Sequence, residues 1–334
     1  MKRETVITGV GCVTSLGNIP EQFYQTLDYE LNRIKTKGIF YSNSNECRIK
    51  EFYFYNKELL QKYPRLDLSC QYILQATKQA IEQANIDLNM LVSKRIGVII
   101  GSTYGLLDSQ EKFLKMLYRT GKGSPMYFQQ TANNLLSGII AYEHHINGFN
   151  MTLYNGWTAG LDSILLAEQL ISDSQLDIVI AGGIDILTDF VMSQYHYLMG
   201  KNSFRDYFLP GEGVGILLLE AKEYALQRKQ QILGQVLGGE QCFFFSIKNF
   251  KKQLEKIIFE NKDKCYFANT NGTNLDIYER EIIDLIGISS INLKSIIGEC
   301  GAASGVLQVI YALYNGKRSL IMSAALDQIS IISI

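Results

Sequence analysis

A residue at the tip of a strand–turn–helix connection is presented to a cleft. The exposed amides of the helix that follows lower the pKa of a thiol placed there. The stretch MTLYNGWTAGLDSILLAEQL from Met151 has this form, and the residue at its tip is Trp157, the single tryptophan of the chain. An indole offers one N–H donor and no nucleophilic lone pair. A connection suited to activating a nucleophile therefore carries a group that cannot attack.

The other reactive residue types do not assemble into a replacement. Cys12, Cys47, Cys70, Cys242, Cys265 and Cys300 are scattered without a C-x-x-C pair, so they read as reduced thiols rather than metal ligands. His144 and His145 are adjacent and face different sides of any regular element, a poor chelate; His196 is the third and last histidine. Neither a phosphate-binding loop nor a dinucleotide fingerprint occurs, and GSTYG from Gly101 is too short to be either. No cofactor and no metal are expected.

The elements that must position the tip follow from hydrophobic patterning. Val/Ile-rich runs near Thr5, Arg95, Asn150, Leu176 and Gly213 read as strands, and 68–84, 128–144 and 159–172 read as helices. The rhythm restarts after residue 230. A strand runs from Gln231, a helix over 248–261 and a strand from Lys264. A helix over 277–286, a short strand near Ser295, a helix over 301–314 and two strands from Ser319 complete it. The expectation is an α/β chain of two fused βαβα halves, 1–228 and 229–334, with no flexible linker between them. The polar, aromatic segment 35–64 reads as an irregular excursion over the surface.

Charge and length exclude several classes. The net charge of −1 gives no basic stripe for nucleic acid. The longest apolar runs, such as GVGILLL from Gly213, fall far short of the roughly 20 residues a bilayer span needs. The opening MKRETVITGVGCVTSLG lacks the apolar region and cleavage site of a signal peptide, so a cytoplasmic location is expected, with no membrane partner.

Six segments occur in one order: VITGVGCVTSLGN from Val6, the elbow GWTAGLDSI from Gly156, IVIAGGID from Ile178, GEGVGILLLE from Gly211, ANTNGTNLD from Ala268 and KSIIGECGAASG from Lys294. Together they resemble the β-ketoacyl synthases of the thiolase superfamily over nearly the whole chain, and the elbow resembles the type II polyketide ketosynthases. The resemblance implies a thiolase-like, five-layered α-β-α-β-α fold. It also implies departures at every reactive position. The family's nucleophilic cysteine falls on Trp157, its first histidine on Asn271 and its second on Glu299; MSAALDQIS from Met322 replaces the glycine-rich gate.

Those changes abolish condensation. Trp157 cannot be acylated, and the two lost histidines serve as oxyanion donors in the family. Asn271 can still donate one hydrogen bond, whereas an ionised Glu299 would oppose a developing negative charge. Among plainer readings, Trp157 fills the acyl cavity or shapes a neighbouring subunit's pocket, Asn271–Gly272 is turn chemistry, and Lys294 is an ion-pairing group. Asp162 and Ser163 are then capping or interface residues. The resemblance thus points to the chain length factor, the non-catalytic β subunit of a type II ketosynthase. In that class a glutamine usually replaces the cysteine, so Trp157 marks a divergent branch. The implied partners are an active ketosynthase α subunit and an acyl carrier protein. Phe128, Thr131 and Leu135, with Trp157, are the tunnel and interface candidates. Two alternatives stand beside it: thioester chemistry rewired onto Glu299 and Asn271, and a purely structural, solubilising partner.

Overall fold

The computed structural model describes residues 2–37, 46–49, 61–63, 66–87, 95–201, 204, 208–324 and 327–334. Most of the excursion expected over 35–64 lies outside these residues. Two sheets form the frame. The first holds β1 (Thr5–Thr14), β2 (Ile96–Gly101), β3 (Asn150–Leu153), β4 (Ile178–Asp185), β5 (Gly213–Ala221) and β6 (Gly234–Val236), in the order β3-β2-β4-β5-β1-β6. The second holds β7 (Gly238–Phe243), β8 (Cys265–Phe267), β9 (Ser290–Ile291), β10 (Ser319–Ala324) and β11 (Gln328–Ser333), in the order β7-β11-β10-β8-β9.

Without β6 the two sheets have one topology. In each, the second strand pairs in parallel with the third and fourth, and the fifth runs antiparallel between the fourth and first. This is the internal repeat expected from the restarted rhythm. β1, β2, β4, β5, β10 and β11 are buried along their whole length, and in β2, β4 and β5 this is why the sequence reads as a near-continuous apolar run rather than an alternating one.

Between the sheets lie two helices, Ala159–Ser172 and Ala303–Asn315, whose apolar residues share one core with both sheets. Helices Leu68–Gln83 and Leu135–Glu143 cover the outer face of the first sheet, and Ile247–Glu260 and Leu275–Ile286 the outer face of the second. The result is the five-layered α-β-α-β-α arrangement of the thiolase-like fold.

Three local expectations are corrected. The helix expected over 128–144 is two helices, Pro125–Gln129 and Leu135–Glu143, because Gln110 Nε2 pins the intervening turn, donating to Thr131 O at 3.1 Å and Asn133 Oδ1 at 2.9 Å. The strand expected from Gln231 is split between the sheets as β6 and β7. The strand expected near Ser295 lies earlier, at Ser290–Ile291, and Lys294–Ile297 is a helical turn. Helices Pro20–Lys37, Leu107–Thr120 and Asp189–Gly200 were not expected from the patterning.

The N-termini of the two central helices meet at backbone distance. A Cβ on Gly160 would sit 1.9 Å from Ala302 O, and one on Gly305 would sit 2.5 Å from Leu161 Cγ. Glycine is required there by space. Gly160→Ala is expected to destabilise the fold by about 3 kcal/mol or more, because backbone on both sides must move. Gly138→Ala, on an outer helix with open space beyond it, is expected to stabilise by about 1 kcal/mol. Urea unfolding midpoints check both.

Candidate functional site

The chain leaves β3, reverses at Gly156 (φ +80°) and forms a single 3-10 turn, Gly156–Thr158, before the first central helix. Glycine holds that φ without strain. Trp157 is thereby placed at the mouth of the helix, half-buried, and its carbonyl accepts a hydrogen bond from Ser323 Oγ at 2.8 Å. The turn is anchored from below by Asp162, which is 2% exposed. Its carboxylate accepts from Asn155 Nδ2, from Thr158 Oγ1 at 2.9 Å, from Gln328 Nε2 at 3.1 Å and from Ser330 Oγ. Asp162 thus ties the elbow to β11. Ser163 Oγ ties the helix to β4 by donating to Gly182 O at 2.9 Å.

A second carboxylate holds the other side. Asp185, at the end of β4, accepts from Ser102 Oγ at 2.8 Å, Thr103 N at 2.8 Å, Tyr104 N at 2.9 Å and Ala302 N at 2.7 Å. It joins the β2 loop to the start of the second central helix. Burial raises its pKa to about 6 against the pull of those donors. The sequence reading missed this residue; its only signal was an acid ending a fully apolar strand.

The three positions singled out in the sequence, Trp157, Asn271 and Glu299, separate into two environments. Glu299 is 2% exposed and Lys294 is 3% exposed, and they form an ion pair at 2.8 Å. Lys294 Nζ also donates to Asn269 Oδ1 at 2.9 Å, and Ser304 Oγ donates to the other Glu299 oxygen at 2.7 Å. Each carboxylate oxygen carries a hydrogen-bond partner, so the charge of Glu299 is compensated within the fold by Lys294. Asn271 is buried too; its Oδ1 accepts from Thr273 N at 3.3 Å and its amide nitrogen has no partner. Cys300, beside Glu299, has its thiol pushed well up by burial, as do Cys12 and Cys70. None is poised as a thiolate.

Trp157 instead faces a cavity of about 840 Å³. Its ring lies against Phe204 (centroids 6.4 Å, 28°), Phe204 stacks on Phe208 (4.1 Å, 17°), and Tyr195 packs against both. Phe208 in turn presses on Gly272. Aromatic rings thus stand between the elbow tip and the Asn271 backbone. Neither Asn271 nor Glu299 lines the cavity. Thr273, Asn274, Ala324 and Asp327 form its far wall, so part of the segment replacing the family's gate does reach it. The unexpected helix Asp189–Gly200 supplies Phe190, Val191, Gln194, Tyr195 and Leu198. Thr188 as N-cap and the apolar spacing of Val191, Met192, Tyr195 and Met199 were the signal for it.

The other tunnel candidates sit elsewhere. Phe128 is 62% exposed and touches Phe113 at 5.7 Å. Thr131 Oγ1 donates to Phe128 O at 2.8 Å, and Leu135 packs on the core outside the first sheet. Neither they nor the His144–His145 pair line the cavity. Among the described residues no His/Cys/Asp/Glu cluster is spaced for a metal, and no helix is long and apolar enough to cross a membrane.

This arrangement is that of a ketosynthase scaffold. Residues 2–225 match the Beta-ketoacyl synthase, N-terminal domain, and the chain belongs to that family. Similar curated proteins include 3-oxoacyl-[acyl-carrier-protein] synthase 2 of Coxiella burnetii (strain RSA 493 / Nine Mile phase I), 27% identical over 258 residues, 71% of this chain and 62% of that protein. The protein of the same name from Staphylococcus aureus (strain COL) is 25% identical over 360 residues, 95% of this chain and 86% of that protein. Against the Coxiella relative, the chain therefore spans less than two thirds of the full length. Solved structures with this fold include "The ishigamide ketosynthase/chain length factor", with TM-score 0.81, 19% identity and 100% and 99% of the two chains covered. A complex described as "type II PKS acyl-carrier protein in complex with its ketosynthase bound to the hexaketide" gives TM-score 0.84 at 19% identity and the same coverage.

Two predictions follow from the carboxylates. Glu299→Gln leaves the buried Lys294 charge uncompensated and is expected to cost about 3–5 kcal/mol in urea unfolding, most of it recovered in the double variant Lys294→Met/Glu299→Leu. For Asp185 the folded pKa stands above the unfolded one, so its stabilising contribution is full below about pH 4 and is lost as pH rises through about 6. The stability of the wild type relative to Asp185→Asn is expected to fall across that window, read from unfolding midpoints at pH 4 to 7.

Proposed function

We propose that this chain is a non-catalytic chain length factor, a ketosynthase β subunit that pairs with an active ketosynthase and helps set chain length in type II polyketide biosynthesis. The observation that carries the reading is the indole at the elbow tip, in a fold whose family places a nucleophile there. The partner ketosynthase performs condensation, and an acyl carrier protein delivers the chain mainly to that partner. The assembly works in the cytoplasm.

Surface composition supports a partner. Leu114, Leu117 and Tyr118 on the helix Leu107–Thr120 are 60%, 40% and 93% exposed, and Phe128 follows on the next helix. Large exposed apolar side chains in one region mark interfaces. β3 is also an open sheet edge that carries exposed Met151. Phe128, Thr131 and Leu135 belong to this face, where a bulky side chain sets tunnel length by volume. Rewired chemistry at Glu299 is disfavoured by the closed ion pair with Lys294.

Co-expression with an active ketosynthase and a carrier protein, followed by mass spectrometry of the carrier-bound chain, tests the proposal. The chain alone is expected to show no turnover and no acyl adduct in intact-mass data. Trp157→Cys by itself is expected to stay at least about 10³-fold below an active ketosynthase, because Asn271 and Glu299 remain. Phe128→Ala is expected to lengthen the product of the complex by at least one extension. Unchanged product length across Phe128, Thr131 and Leu135 variants would reduce the role to scaffolding.

A further inference from the structure

We infer that the cavity beside Trp157 is a non-covalent binding site for a neutral, planar, conjugated molecule such as a polycyclic phenol or quinone. The inference concerns this subunit's own cavity and holds whether or not the chain sets product length.

The shape and chemistry of the walls carry it. The volume of about 840 Å³ lies within the range of small-molecule sites. Five aromatic side chains line it: Tyr104, Trp157, Phe190, Tyr195 and Phe204. Tyr104 and Tyr195 are fixed by a hydroxyl–hydroxyl contact, and Tyr195 and Trp157 by ring contacts with Phe204, so the walls are set before a ligand arrives. Aromatic walls gain stacking energy from a π face that an alkyl chain does not offer. A rigid ring system also loses less rotamer freedom on binding than a linear chain of equal size.

Charge selects against acids and phosphates. Among the described lining residues there is no Lys, Arg or His, and the one ionisable carboxylate, Asp327, is exposed and acidic. Lys294, the buried cation on this side of the fold, is committed to Glu299. A fatty acid or a phosphopantetheine would bring a negative charge to a cavity whose described lining holds no counterion. A phenol or ketone needs only a hydrogen-bond partner, and Thr273 Oγ1, on the wall, has none among the described residues. Asn155 and Asn274 add amide groups at the rim.

Equilibrium dialysis with 1,8-dihydroxyanthraquinone tests this, using the chain alone or in its complex, with dodecan-1-ol and laurate as linear comparators. Quenching of the single tryptophan's emission reports whether the ligand sits beside Trp157 in the isolated chain. The expected result is saturable one-to-one binding of the anthraquinone, about tenfold tighter than either linear compound. Leu198→Trp, which fills the cavity from a half-exposed position, is expected to weaken binding about tenfold or more. Thr273→Val is expected to weaken binding about threefold to tenfold while leaving the unfolding midpoint unchanged or raised, a pair of effects that a structural role for the hydroxyl would not give. Equal or tighter binding of dodecan-1-ol or laurate overturns the inference, as does anthraquinone binding that ignores Leu198→Trp in a normally folded variant.

Discussion

The structure depends on the approach of two helix N-termini at the centre of the molecule. Gly160 lies against the carbonyl of Ala302, a contact that excludes any side chain, and Asp185 receives the amide of Ala302 from the same junction. Both central helices share one apolar core with both sheets, so this contact fixes where each helix begins. The elbow at Trp157 and the loop at Glu299 are the residues just before those two beginnings. A shift of either helix would move both at once. The two halves therefore meet at the same point where the family does its chemistry.

The groups at that point satisfy one another. A buried carboxylate in a water-poor centre is costly unless compensated. Lys294 compensates it, and Ser304 and Asn269 satisfy what the pair leaves over. On the other side of the aromatic stack, Trp157, Phe204, Phe208 and Tyr195 fill space with rings held in edge and stacked contacts. Polar satisfaction on one side and apolar filling on the other leave a closed charge pair beside a largely aromatic cavity.

A scaffold kept at this level of detail, with no free nucleophile among its described buried cysteines, directs attention to surface and cavity. The surface offers exposed Leu114, Leu117, Tyr118 and Phe128 and an open strand edge. The cavity offers aromatic walls, with no cation among its described lining residues. These are two different kinds of recognition surface. Each is built from elements, the helices Leu107–Thr120 and Asp189–Gly200, that hang on the first sheet rather than form it.

The sequence by itself determined the alternating strands and helices, the restart of that rhythm after residue 230, and the placement of Trp157 at a helix mouth. Each of these is local: strand periodicity, a glycine turn and an amphipathic run are all read within a dozen residues. Lys294 as an ion-pairing group was also legible, but its partner was not. Lys294 and Glu299 are brought together only because Gly298 (φ +78°) ends a four-residue helix and turns the chain back. The break between Gln129 and Leu135 was decided by Gln110, distant along the chain, since the local pattern suits a continuous helix. Asp185 became a junction because four donors from two other segments converge on it. The cavity exists only once a helix unrecognised in the patterning packs beside the elbow. Tertiary structure decided whatever depends on long-range contact, because burial and hydrogen-bond satisfaction are properties of neighbours in space rather than in sequence.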